Sequence, residues 1–203
     1  KDFVYAIELG SLVIDYYGHG GEYGFAQERL YEINEAVNLN NYDNLPLFIT
    51  MTCDFSRFDN PYLQTGGEFT FWNPTGGAIN LVTTTRLIGV TSASNINDEF
   101  NFYLYENSDT NNPLNTIGEA LRKAKNGTTS QDRRVVFNIG DPALMLAIPR
   151  PKVVLTKIND VDVSQPTDVL NALSYVTLTG EVRNVFNNLQ SNLQLLEDGF
   201  GNK

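Results

Sequence analysis

The run at residues 45–52 (LPLFITMT) constrains the fold more than any other part of the chain. A near-continuous apolar stretch with no polar alternation has no face to offer water. It reads as a strand buried on both sides, the position of a central strand in a parallel sheet covered by helices. Three further stretches rich in β-branched and aromatic residues read as strands: 12–17 (LVIDYY), 78–84 (AINLVTT) and 134–139 (RVVFNI). Helical spacing is read over 1–9, ended by Gly10, and over 25–37, 67–72, 95–106 and 116–126. Residues 38–44 and 54–65 read as loops. This alternation predicts an α/β domain with a mostly parallel sheet flanked by helices.

The pattern changes after about residue 147. Pro149 and Pro151 punctuate the chain, and 152–157 and 175–182 read as strands on either side of a turn-rich stretch containing Pro166. We therefore expect two parts: 1–148 carrying the α/β domain, and 149–203 opening a β-sandwich module of immunoglobulin-like type. That module is expected to be incomplete, because a full one takes about 100 residues. The chain opens KDFVYAIELG, without Met, a basic n-region or an apolar h-region. Its ends are read as boundaries within a longer protein, with native sequence on at least one side.

The formal net charge is −10. Its scattered Lys and Arg argue against general binding to nucleic acid or anionic lipid, which needs clustered cations. No apolar run reaches the roughly 18 residues of a membrane-spanning helix. One Cys and one His exclude an internal disulfide and argue against a zinc site. No cofactor is expected.

Those two residues, His19 and Cys53, both fall just past expected strand ends, 34 positions apart (19 to 53). In α/β sheets ligands gather at the carboxyl ends of the strands. A cysteine nucleophile needs an adjacent base to take its proton and return it to the leaving amine. The glycines around His19 leave backbone N–H groups accessible, and Gly20 and Cys53 are candidate N–H donors to an oxyanion. Read from the residues alone, a lone Cys is usually an inert, buried small hydrophobe and a lone His more often structural, although the glycines beside His19 offer nothing to pack in a core. A phosphate-binding reading of Gly18–Gly21 fails: Tyr23 stands where a dinucleotide fingerprint needs Gly, and the Lys-Ser/Thr of a P-loop is missing.

Residues 13–21 (VIDYYGHGG) and 48–54 (FITMTCD) are similar to the catalytic strands of gingipain-type cysteine peptidases. Residues 77–82 resemble that family's third core strand, and 138–146 (NIGDPALML) the motif that closes its catalytic domain. Gly20-Gly21-Glu22, 26–29 (AQER) and 52–59 (TCDFSRFD) with Pro61 resemble the family's type IX secretion sortases. The resemblance implies a caspase-like fold whose C-terminal part this chain supplies. It implies His19 as general base and then acid, and Cys53 as the nucleophile that forms a thioester. It further implies a protein or peptide substrate (the C-terminal sorting domains of secreted cargo), surface secretion-system proteins as partners, and export to the cell surface. The acidic residue that orients the histidine is expected upstream of this chain; Asp15, Glu22 and Asp54 are the carboxylates near the pair. Loops after the Cys strand and the third strand are expected to line the cleft, which makes Arg57, Trp72 and 83–86 candidates, with Thr84 and Thr85 nearest the pocket; for Trp72, packing on its own helix is the preferred reading. No acidic pocket residue matches the one that a preference for Arg or Lys would need. Family members bind calcium, but no EF-hand pattern is present, and no metal is expected. The rival reading is a non-catalytic scaffold that keeps the fold. An enzyme would hold Cys53 open to a cleft beside His19, whereas a scaffold would bury it.

Overall fold

The apolar run is buried as its composition requires: all five residues of the strand Leu47–Met51 are buried. The computed structural model describes residues 2–26, 28–106, 113–149, 151–165 and 175–184. In chain order its elements are α1 (Asp2–Glu8), β1 (Val13–Tyr17), β2 (Gly20–Gly21), β3 (Gly24–Phe25), β4 (Tyr31–Glu32), α2 (Ile33–Asn38), β5 (Leu47–Met51), α3 (Gly66–Trp72), β6 (Asn80–Thr84), α4 (Val90–Tyr105), α5 (Ile117–Gly127), a 3-10 turn (Gln131–Arg134), β7 (Val136–Gly140), β8 (Pro151–Ile158), β9 (Val161–Asp162) and β10 (Leu178–Asn184).

Two units form. The first, Lys1–Asn107 with Leu114–Leu146, holds the four-stranded sheet in the order β1-β5-β6-β7. Strands β1, β5 and β6 run parallel, and β7 closes the edge antiparallel to β6. Both central strands, β5 and β6, are buried throughout. On one face, Phe48 and Leu81 pack with Ile7, Phe25, Tyr31, Ala36, Leu39 and Phe55. The aromatic rings interlock, with Phe25 4.6 Å from Phe55 and 5.3 Å from Tyr31 between centroids. The other face is covered by α4, whose buried Ala93, Ile96, Phe100 and Leu104 recur at helical spacing. Asp15 on β1 accepts hydrogen bonds from Asn97 and Asn101 of that helix, 2.8 Å in the case of Asn101. Residues of β1 and β5 in register with Asp15 therefore face α4.

Helix α3 starts on a reciprocal cap. Glu68 accepts from the Thr65 backbone N–H at 2.9 Å and from its hydroxyl at 2.8 Å, while Thr65 Oγ1 accepts from Glu68 N–H. Because Thr65 is fully buried, Thr65→Ala is expected to lower unfolding stability by about 1 kcal/mol, measured by urea denaturation.

The helix expected over 25–37 is much shorter. Only Ile33–Asn38 is helical, and 20–32 form a small three-stranded meander, β2-β3-β4. Phe25 and Tyr31 are fully buried in the aromatic core, and the chain between them turns through left-handed backbone at Ala26 (φ 58°) and Arg29 (φ 54°). Burial of the two rings outweighs the helix-forming residues between them, since local propensity is worth only tenths of a kcal/mol per residue. Helix α4 starts five residues earlier than its spacing suggests, at Val90 after Gly89, and so carries β-branched residues in its first turn.

The second unit, Ser108–Pro113 with Ala147–Lys203, contains the antiparallel sheet β10-β8-β9, with an irregularity at Thr179/Gly180. Its strands lie near the expected 152–157 and 175–182. Pro166 and the C-terminal stretch of the expected module lie outside the described residues. Among the described residues no helix is long and apolar enough to cross a membrane.

Candidate active site

The β1–β5 ladder runs at a constant offset of 34 residues, from Val13↔Leu47 to Tyr17↔Met51. His19 and Cys53 have the same offset, two residues past the last pair on each strand. Neighbouring parallel strands are about 4.8 Å apart, so continuing the ladder sets these two residues side by side. One further link survives beyond the strands, from Gly18 N–H to Met51 O at 3.4 Å. Both residues share parity with Asp15 and Ile49 and project on the α4 side. There they line one cavity of about 260 Å³, together with Tyr17, Gly18, Met51, Thr52, Ile88, Val90 and Ala93. His19 is exposed and Cys53 half-buried, so the thiol opens to the cavity.

Local structure pins each side. The His19 carbonyl accepts from Tyr16 Oη at 2.6 Å and from Ala26 N–H at 2.8 Å. The Tyr16 ring stacks on Phe25 at 4.3 Å. Burial, with a smaller contribution from Glu28, raises its phenol above the usual tyrosine value, which keeps it protonated as a donor. Gly20 is held against the Thr52 hydroxyl and the Gly24 carbonyl, so close that a β-carbon there would stand 2.8 Å from Gly24 O. On the other side, Cys53 Sγ lies 3.9 Å from Ile88 O. The chain then turns at Asp54, in left-handed backbone at φ 53°, which Asp tolerates better than most residues. Ser56 N–H donates to Thr84 O at 3.0 Å and the Ser56 and Thr83 hydroxyls meet at 2.9 Å, which ties this turn to β6.

The remaining candidates are placed as follows. Thr84 is fully buried and its hydroxyl donates to the Thr52 carbonyl. Thr85 is also buried, bonded to Val135 O at 3.3 Å. Neither lines the cavity. Arg57 is exposed beside Glu22, 3.5 Å away, and Glu22 also accepts from Asn60 at 2.8 Å. Trp72 stands largely exposed on α3, with its ring edge on Phe71. Asp15 is held by α4 and does not reach His19, and among the described residues no carboxylate is hydrogen-bonded to His19. Tyr17, Ile88, Val90 and Ala93 were not singled out from the sequence. Tyr17 Oη donates to Val90 O at 3.0 Å and so joins two residues of the lining. Tyr17 falls within the 13–21 stretch without a role of its own there, and no motif marks Ile88, Val90 or Ala93; the register of β1 and the chain leading into α4 bring them to the site. Apart from His19 and Cys53 the side chains around the cavity are apolar or hydroxyl-bearing, with no acidic residue among the described lining.

The sequence profile of peptidase family C25 matches residues 1–147. Among solved structures, the Arg-specific cysteine proteinase gingipain R is 20% identical with a TM-score of 0.61, over 76% of this chain and 38% of that one. The complex of pro- and mature domains of RgpB from Porphyromonas gingivalis is likewise 20% identical, with a TM-score of 0.63, over 76% of this chain and 39% of that one. A further structure described as a protease is 16% identical with a TM-score of 0.57, over 86% of this chain and 43% of that one. These likenesses show the caspase-like fold of the gingipains, and this chain spans about two fifths of the length of those chains. No curated protein matches it.

Proposed function

The chain belongs to peptidase family C25, and on that premise we propose that it works as a cysteine endopeptidase through His19 and Cys53. The observation that carries the reading is the shared cavity: the only Cys and only His of the chain line one pocket at the carboxyl ends of adjacent parallel strands. The imidazole of His19 takes the proton of Cys53 Sγ. The sulfur attacks the substrate carbonyl, an S–C bond forms and the carbonyl π pair moves to oxygen. The Gly20 and Cys53 N–H groups donate to that oxyanion. As the intermediate collapses the C–N bond breaks and the imidazolium gives its proton to the leaving amine. A thioester remains, and water or an amine displaces the thiolate. The resemblance to type IX secretion sortases favours cargo carrying C-terminal sorting domains as substrate, with secretion-system proteins as partners and the cell surface as the place of action. Residues 149–203 are read as the opening of an immunoglobulin-like module.

The lining supplied by Tyr17, Met51, Ile88, Val90 and Ala93 suits an uncharged side chain next to the cleaved bond, because an unpaired guanidinium loses its hydration there. The test uses peptidyl chloromethyl ketones, which alkylate an active-site thiol. A leucyl reagent is expected to label Cys53 at least about tenfold faster than an arginyl one, the scale of discrimination that an apolar pocket supplies. Faster arginyl labelling would contradict the uncharged preference. Labelling by neither reagent above the rate of a small free thiol would contradict the peptidase reading.

A further inference from the structure

We infer that Thr84 is a positioning residue that aims the Cys53 N–H at the reacting carbonyl; the inference rests on the peptidase reading above. The Thr52 carbonyl and the Cys53 N–H belong to one planar trans peptide unit and point in opposite directions. Strand β5 lies between β1 and β6. The Thr84 hydroxyl, from the last residue of β6, donates to the Thr52 carbonyl. That bond draws the carbonyl toward β6, and the Cys53 N–H must then face the β1 side, where His19 and Gly20 lie. The next carbonyl back, on Met51, points the other way and accepts from Gly18 N–H, as alternation along a strand requires.

The Thr84 hydroxyl acts on this peptide beside one backbone link just past Cys53, from Asp54 N–H to Arg86 O at 3.4 Å. Regular pairing of β5 with β6 ends at Thr50↔Thr83, and Asp54, immediately after Cys53, is already in left-handed backbone. Thr84 is itself fixed. It is fully buried, its carbonyl accepts from Ser56 N–H at 3.0 Å, and its register partner on β7 is Val136. Thr52 completes the arrangement from its other end, since its buried hydroxyl abuts Gly20, the second proposed donor. Thr52 thus touches both donor residues, and Thr84 sets the orientation of its carbonyl.

The test separates oxyanion chemistry from thiol chemistry. Addition of a peptide aldehyde to Cys53 creates an S–C bond and an oxyanion, whereas alkylation by iodoacetamide displaces iodide at a saturated carbon and makes no oxyanion. Thr84→Val removes the hydroxyl at nearly constant volume, and Thr84→Ser keeps it. In Thr84→Val the aldehyde dissociation constant is expected to rise at least about tenfold, against the 10²–10³ of deleting an oxyanion donor outright. Iodoacetamide alkylation should slow by far less, and Thr84→Ser should restore aldehyde affinity to within about threefold of wild type. Equal aldehyde affinity in Thr84→Val and wild type would overturn the inference. So would parallel losses in both reactions, which would mark Thr84 as merely structural. If the wild-type thiol reacts no faster than a free thiol and does not depend on His19, the peptidase reading fails first, and the positioning role falls with it.

Discussion

Cys53→Ala is expected to abolish peptide cleavage, and His19→Ala to lower kcat/KM by about 10²–10⁴. The asymmetry follows from the chemistry. Without Cys53 no S–C bond forms and no thioester exists, so nothing of the proposed path remains. Without His19 a thiol can still ionise to solvent, and the neighbouring N–H groups still receive the oxyanion, so a residue of the rate survives. Because His19 is exposed and Cys53 half-buried, and neither side chain belongs to the packed core, both variants should keep the wild-type unfolding midpoint. A fluorogenic peptide assay together with a urea titration checks both points. Cleavage that persists in Cys53→Ala would assign the chemistry elsewhere.

Phe55→Ala is expected to cost about 3–5 kcal/mol of unfolding stability. The ring is fully buried, two residues past the nucleophile, and packs 4.6 Å from Phe25 and 6.5 Å from Tyr31 between centroids. Gly66, at the start of α3, sits against the same ring: a β-carbon there would come within 2.6 Å of it. Its backbone is committed too, with Gly67 N–H donating to Phe55 O at 3.0 Å. A cavity at this point cannot collapse without moving α3 or the aromatic cluster, which places the cost toward the upper part of that range. The loss should appear as a lower urea midpoint with an unchanged slope.

The sheet was legible because its strands carry the signature of their environment. Residues 45–52 lack polar alternation and are buried on both faces; 12–17, 78–84 and 134–139 hold the β-branched residues of β1, β6 and β7. The meander at 20–32 was not legible. Its stability comes from Phe25 and Tyr31 entering a core assembled from α1, β5 and the segment after Cys53, contacts that no local pattern announces. Likewise the wall formed by Ile88, Val90 and Ala93 depends on where α4 begins, and its first turn of Val, Thr and Ser gives no helical signal. Thr84, a cleft candidate by sequence, is still within β6, and its buried hydroxyl bonds to the Thr52 carbonyl, a partner that strand register supplies.

The most direct measurement of the central claim is the rate of Cys53 alkylation by iodoacetamide as a function of pH, in wild type and in His19→Ala. A free thiol ionises near pH 8.5, and only the thiolate reacts. A working Cys53–His19 pair should give fast labelling well below that value, lost in His19→Ala. Slow labelling that follows the profile of an ordinary thiol and is unaltered by His19→Ala would contradict that pairing.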